Sequence, residues 1–482
     1  MQELKSNKWL LFGSLLYMVI SGLLIWNNLS YLTLFPIGLV AIYLAVFKGE
    51  VVYLSLAFLT PLSINIEEYS DKFGLYVPTE PLLFGLLLLI IFQEIKRSSL
   101  DKAFWNSPII WAVSFYLFWM FITSITSELP VASFKFFLAH CWLIVPVLAM
   151  GYPIFKSEKC IVTFFWLFSI GMAIVIVYTV SIHATYRFGE QESHWVMWPF
   201  FKDHTVYGAA IGLVVPIIFG LYFYKKHTPI VQAVLLILIT IILIGLYFSY
   251  TRAAWLSVVA AIGVLLLIKL KIKFSWLLGL ALFVGISVAS SWTAIQHSLE
   301  KNTHEHTTED FGKRVQSAVN VTTDASNLER LNRWQCAIDM FQERPFTGFG
   351  PGTYAFVYAR FQRPENLTII STTNGDGGNA HSEYLGIMAE SGLFGLFSML
   401  FLVGAIFYQS IILYVKWPVN DRKTRAIIMT IILSLVTYFV HAFLNNYLDT
   451  DKASVPIYAM CAMILALEYK YRAGHFDTTN DW

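Results

Sequence analysis

Apolar runs follow one another along almost the whole chain, broken by short polar connections, and each is about 17 to 25 residues long, enough to cross a hydrocarbon core as a helix. The runs are continuously apolar rather than alternating, which predicts helices and not barrel strands. They fall at 9–26, 31–47, 51–66, 80–95, 107–125, 132–150, 160–182, 205–224, 229–249, 253–268, 274–292, 385–415, 426–446 and 454–469. The first follows Lys5 and Lys8 but lacks a small-residue cleavage site, and it reads as a membrane helix rather than a signal peptide. The expected fold is an all-α polytopic membrane protein with about 12–14 transmembrane helices and one large periplasmic loop domain.

The connections sort by charge. Every second one is basic: Lys5/Lys8, Lys48, Lys96/Arg97/Lys102, Lys156/Lys159, Lys225/Lys226, Lys269/Lys271/Lys273, Lys416/Arg422/Lys423/Arg425 and Lys470/Arg472. Basic loops stay in the cytoplasm. The remaining connections, among them 67–71, 124–130, 183–204, 300–383 and 445–452, then face outward, both termini are cytoplasmic, and the chain reads as a bacterial inner-membrane protein. Composition agrees, with 57% hydrophobic and only 13% charged residues against about 25% in soluble domains. A net charge of +2 gives no reason to expect a nucleic-acid partner. Cys141, Cys160, Cys336 and Cys461 form neither a disulfide framework nor a zinc pattern.

One stretch departs from the pattern. Residues 293–383 are polar and long enough for a small domain, between an N-terminal helical part (1–292) and C-terminal helices with a tail (384–482). Loops of that size are seldom idle. Within it, Asn327 to Glu343 reads as an amphipathic helix with Leu328, Leu331, Trp334, Ile338 and Phe341 on one face. Pro345 stops it, and Gly348, Gly350 and Gly352 predict a tight turn.

Five places have the residue types for chemistry. Arg252, in FSYTRAAWL, sits at a turn so short that its charge lies at the membrane surface, where it either snorkels or meets an anion. Arg330 and Arg333, in ERLNRWQ, share a helix face, as a phosphate-binding pair or as a salt-bridged surface. His381 precedes an apolar helix, as an acid or base near neutral pH or as a helix cap. Lys202, Asp203 and His204 cluster at an outward connection, and Asp449 and Asp451 form a second polar cluster. His304 and His306 lack the further ligands a metal requires, and no P-loop, dinucleotide fingerprint, HEXXH or nucleophile elbow occurs, so neither cofactor nor metal is expected.

Taken together, FSYTRAAWL, ERLNRWQCAIDMFQERPFTGFGPGTY and HSEYLGIMAESGLFGL resemble segments of the O-antigen ligase and polymerase superfamily, over about Phe200 to Tyr469. Thr251 and Ala253 replace the commonest neighbours of the family's arginine. The resemblance implies a metal-independent, inverting glycosyltransferase that moves a preassembled glycan from an undecaprenyl-pyrophosphate donor at the periplasmic face. It implies Arg252 and Arg330 as pyrophosphate ligands and His381 as the base, with Arg333, Lys202 and His204 secondary. Arg330 is preferred over Arg333 for its spacing from Trp334. The implied acceptor is lipid A-core oligosaccharide, with a growing glycan (polymerase) or a protein hydroxyl as alternatives. A transporter of lipid-linked glycans, which needs no base, is the alternative of another class; it predicts broken helices in a two-half repeat, and no such repeat occurs in the sequence.

Overall fold

In the computed structural model of the chain, residues 2–26, 43–44, 46–67, 74–96, 100–271, 325–363 and 378–476 are described. The chain divides into two units, 1–53 and 54–482. The first contains α1 (Gln2–Trp26), whose apolar side chains, such as Met18 and Leu23, are exposed. Helix α2 (Gly49–Leu62) begins in this unit and ends in the second.

The second unit is a bundle of long helices: α3 (Thr79–Lys96), the single turn α4 (Lys102–Trp105), α5 (Pro108–Ile125), α6 (Pro130–Ile154), α7 (Glu158–Thr185), α8 (His204–Phe223), α9 (Pro229–Phe248), α10 (Arg252–Lys269), α11 (Ala325–Glu343), the turn α12 (Tyr354–Val357), α13 (Glu383–Lys416), α14 (Arg422–His441) and α15 (Asp451–Arg472). Among the described residues nine of these are long and apolar enough to cross a membrane. The protein is an all-α polytopic membrane protein. The expected spans at 274–292 and, for the most part, 31–47 lie outside the described residues, as does the HEH stretch.

Local chemistry sets the helix starts. Proline occupies the first turn of α5, α6 and α9, where its missing N–H is not needed. Asp203, Ser382 and Asp421 cap α8, α13 and α14 through their side-chain oxygens. The stretch expected as 51–66 stops earlier, at Leu62. Beyond it, β1 (Ile64–Asn65) and β2 (Tyr76–Val77) pair antiparallel with Asn65 opposite Tyr76. Lys452 Nζ donates to the carbonyls of Thr60 (2.7 Å), Pro61 (3.2 Å) and Ser63 (2.7 Å), which satisfies the end of α2 from the far end of the chain.

The helix expected at 385–415 is two helices joined at Gly392, whose φ of 67° and ψ of −162° break the spiral. That backbone region is open almost only to glycine. At the break, Leu393 N donates to Pro345 O (2.8 Å), so the stop after α11 and the kink in α13 are one structure.

Candidate functional site

The turn between α9 and α10 holds Tyr250 at a φ of 53° and delivers Arg252 as the first residue of α10, half-buried. Thr251 does not cap α10. Its Oγ1 donates instead to His204 O (2.7 Å), tying the turn to the start of α8. The approach is close, for a Cβ on Gly208 would lie 2.6 Å from the Thr251 side chain. At the start of α8, Asp203 accepts from Thr205 N (2.7 Å) and Val206 N (3.1 Å), and the His204 ring lies 4.1 Å from that of His194, tilted by 56°.

Helix α11 carries the other two arginines, and their surroundings differ. Arg333 is buried. It pairs with Glu329 (2.9 Å), donates to Asn379 O (3.2 Å) and lies 4.8 Å over the Tyr358 ring. It therefore fastens α11 to the strap 378–382, and Gly378 at φ 95° is required there, since a Cβ would strike the guanidinium at 2.0 Å. Of the two readings of this pair, the salt-bridged one describes Arg333. Trp334 Nε1 adds a second tie, to His381 O (3.2 Å).

Arg330, one turn earlier, sends its field into a different neighbourhood. It acts on His204 together with Arg252, and also on His381, His441 and Tyr447. Asp203 acts on the same four residues. Residues from α8, α10, α11, the strap before α13 and the end of α14 thus meet at one end of the bundle.

His381 stands just ahead of the cap Ser382, with a φ of 48° and its N–H donated to Asn379 Oδ1 (3.0 Å). Its imidazole is held down to about 4 by burial and by the charges of Arg330 and Arg333, against the opposing effect of the nearby Asn445 amide. At neutral pH the ring is uncharged. Asn445 Nδ2 in turn donates to His441 Nε2 (3.0 Å). Lys202 is exposed, 3.7 Å from Glu67, and its charge acts on Asp449.

Sequence reasoning missed three residues. Glu383 Oε1 accepts from Tyr438 OH (2.8 Å), Tyr447 N (2.5 Å) and Leu448 N (2.8 Å), which fixes the connection that bears Asn445 beside His381. His441 and Asn445 are contributed by a turn some sixty residues away from His381, and the only sequence signal was the polar run Asn445-Asn446.

The glycine-rich segment is clamped rather than loose. Glu390 on α13 accepts from Gly352 N (2.9 Å) and Tyr354 N (2.9 Å), while Gly350 N donates to Glu390 O (2.8 Å). On the other side Glu128 N donates to Phe349 O (2.9 Å). Beneath lies a core of Cys336, Met340, Phe349, Tyr354, Tyr358 and Ala389. The Pro-x-x-Gly-x-Gly-x-Gly run and the Glu-x-Gly run interlock, each needing the other's backbone to approach closely. Among the described residues no cluster of His, Cys, Asp or Glu is arranged to hold a metal.

No curated protein matches the chain. Residues 233–400 match the family model described as O-antigen ligase, a stretch that takes in Arg252, Arg330, His381 and the interlocked glycine segments. That segment, about a third of the chain, is similar to the O-antigen ligase and polymerase superfamily, a family of glycosyltransferase type.

Proposed function

We propose that the protein transfers a preassembled glycan from a polyprenyl-pyrophosphate donor to an acceptor hydroxyl, without a metal, and that lipid A-core oligosaccharide is the acceptor. The observation that carries this reading is the meeting of Arg252 and Arg330 on His204, beside an uncharged His381. Two guanidinium groups next to the uncapped first turn of α10 make a field suited to a pyrophosphate. The acceptor hydroxyl attacks the anomeric carbon from the face opposite the pyrophosphate. The new C–O bond forms as the C–O bond to phosphate breaks, and the hydroxyl proton passes to His381. The departing pyrophosphate gathers negative charge, which the fixed arginines stabilise.

The same geometry ties base strength to donor binding. With the site empty, Arg330 and Arg333 disfavour a proton on His381. A bound pyrophosphate offsets those charges and raises the basicity of the imidazole when a substrate is in place. The test is a reconstituted assay with undecaprenyl-pyrophosphate-linked glycan and lipid A-core. Transfer should survive EDTA and disappear in His381→Ala; full transfer by that variant would rule the base out. Arg252→Ala and Arg330→Ala should lose donor turnover, with Lys at either position restoring only part of it, because an ammonium lacks the bidentate fork.

A further inference from the structure

A recess of about 250 Å³ is lined by parts of α5, α6 and α13, by Gly352 and Tyr354, and by residues 378–380 of the strap that carries His381. One wall is aromatic: Tyr116 and Trp119 from α5, Phe136 and His140 from α6. The other is acidic and amide: Glu383, Glu390, Asn446 and Asp449. No lysine or arginine lines it.

These polar groups differ in what they have left to offer. Glu383 and Glu390 are taken up by backbone N–H groups, as described above. Asp449 is not. Its surface is exposed, yet what it faces is the recess, and its setting deep within the protein pushes the carboxyl up to about 6. Asn446 Oδ1 is buried with no hydrogen-bond partner among the described residues. His140 donates Nδ1–H to Phe136 O (3.0 Å), which leaves its Nε2 an acceptor. The recess thus presents acceptors and ring faces, and no cation lines it, although the charge of Lys202 reaches Asp449.

That chemistry selects its ligand. A phosphate or carboxylate is repelled by Asp449, and an acyl chain would bury Asn446 and Asp449 against hydrocarbon without hydrogen bonds. A sugar ring offers hydroxyl donors to Asp449 and Asn446 and C–H faces to the aromatic wall. At ~30 Å³ per water the volume equals about eight waters, the scale of one ring and not of an oligosaccharide. We propose that this recess is a saccharide subsite that takes one neutral sugar ring, held by Asp449 and Asn446 against Trp119 and Phe136, and lined by none of Arg252, Arg330 and His381. The assignment to substrate glycan rests on the transfer reading above; the binding of a sugar does not.

Gly386 supplies the decisive variant. It lines the recess within α13, and a Cβ there would meet only the Ala380 Cβ, at 3.6 Å, so Gly386→Leu fills the space without disturbing the backbone. Saturation-transfer NMR on the full chain in nanodiscs, with glucose, galactose and N-acetylglucosamine as probes, should show transfer to ring protons that is lost in Gly386→Leu and in Asp449→Ala. No signal in the native chain, or a signal unchanged in both variants, overturns the proposal. This readout needs neither donor nor turnover, so it can fail while the assay of His381→Ala succeeds, and the reverse. In the transfer assay, Gly386→Leu should raise the KM of one substrate by about tenfold, the loss of roughly one good contact set. A rise for the acceptor places the acceptor's sugar in the recess, a rise for the donor places the donor's, and unchanged KM values for both overturn its role in transfer.

Discussion

Two glycines six residues apart on α13 are expected to respond oppositely to the same substitution. Gly392 sits at φ 67° and ψ −162°, and a Cβ there would lie 2.3 Å from Phe346 O and 2.8 Å from Pro345 O. Alanine must leave a backbone region closed to it, at a cost of about 1–3 kcal/mol, and must push away the carbonyl that accepts from Leu393 N, giving up about 1 kcal/mol more. At Gly386 the added methyl meets only Ala380 at 3.6 Å, and helix propensity favours alanine by up to about 1 kcal/mol. The two variants should therefore be separated by about 4 kcal/mol, with Gly392→Ala below the native chain and Gly386→Ala at or above it. Equilibrium unfolding in mixed micelles, read by Trp fluorescence, measures the gap. Because Gly392 is where the 345–354 segment rests on α13, Gly392→Ala should also lose transfer activity. Equal stabilities for the two variants, or a Gly392→Ala protein indistinguishable from the native one, would refute the view that the kink is held by contact between the two glycine runs.

Further tests separate structural from chemical roles. Arg333→Ala leaves Glu329 buried without its cation and should destabilise by about 3–5 kcal/mol in the same unfolding assay, a loss not mirrored by Arg330→Ala. Glu383→Ala strands Tyr447 N, Leu448 N and Tyr438 OH and should cost at least about 3 kcal/mol, whereas Glu383→Gln keeps an Oε1 acceptor and should stay near native. His381 must be unprotonated to act, so activity should fall as pH drops through its value near 4 in the empty site; because donor binding offsets the arginine charges, the acid limb of kcat should lie at higher pH than that of kcat/KM for the donor. Coincident limbs would remove the coupling between Arg330 and His381. Asp203→Ala removes the cap of α8 and should cost about 1 kcal/mol, read by unfolding.

Hydropathy and charge were enough to place the long helices within a few residues, because a membrane span must satisfy its backbone internally and so announces itself as a run. Helix α11 was legible for the same reason in amphipathic form, observed at Ala325–Glu343 where Asn327 to Glu343 was expected. What periodicity could not reveal was which arginine of the pair points where. Arg330 and Arg333 share a face in sequence, and only the packing of Tyr358, Glu329 and the strap binds one of them into the core. The break at Gly392 was hidden because the run of apolar residues passes through it without interruption. Glu383, His441 and Asn445 escaped because their meaning is a contact across some sixty residues of chain, a relation that no local pattern encodes.

Helix α15 is the most enclosed of the nine apolar helices, with 89% of its window buried against 22% for α10, although it is the last of them to be made. Its first turn also reaches back, through Lys452, to close the end of α2. Insertion order and spatial order are thus inverted. The earlier helices are made before the one that is most enclosed, and the end of α2 is latched only when α15 arrives. A chain stopped before Asp451 would lack the Lys452 latch on α2, and the connection that brings Asn445 to His381 would lose its tie from Leu448 O to Ser454 in the first turn of α15. The candidate site is in this sense complete only once α15 is in place.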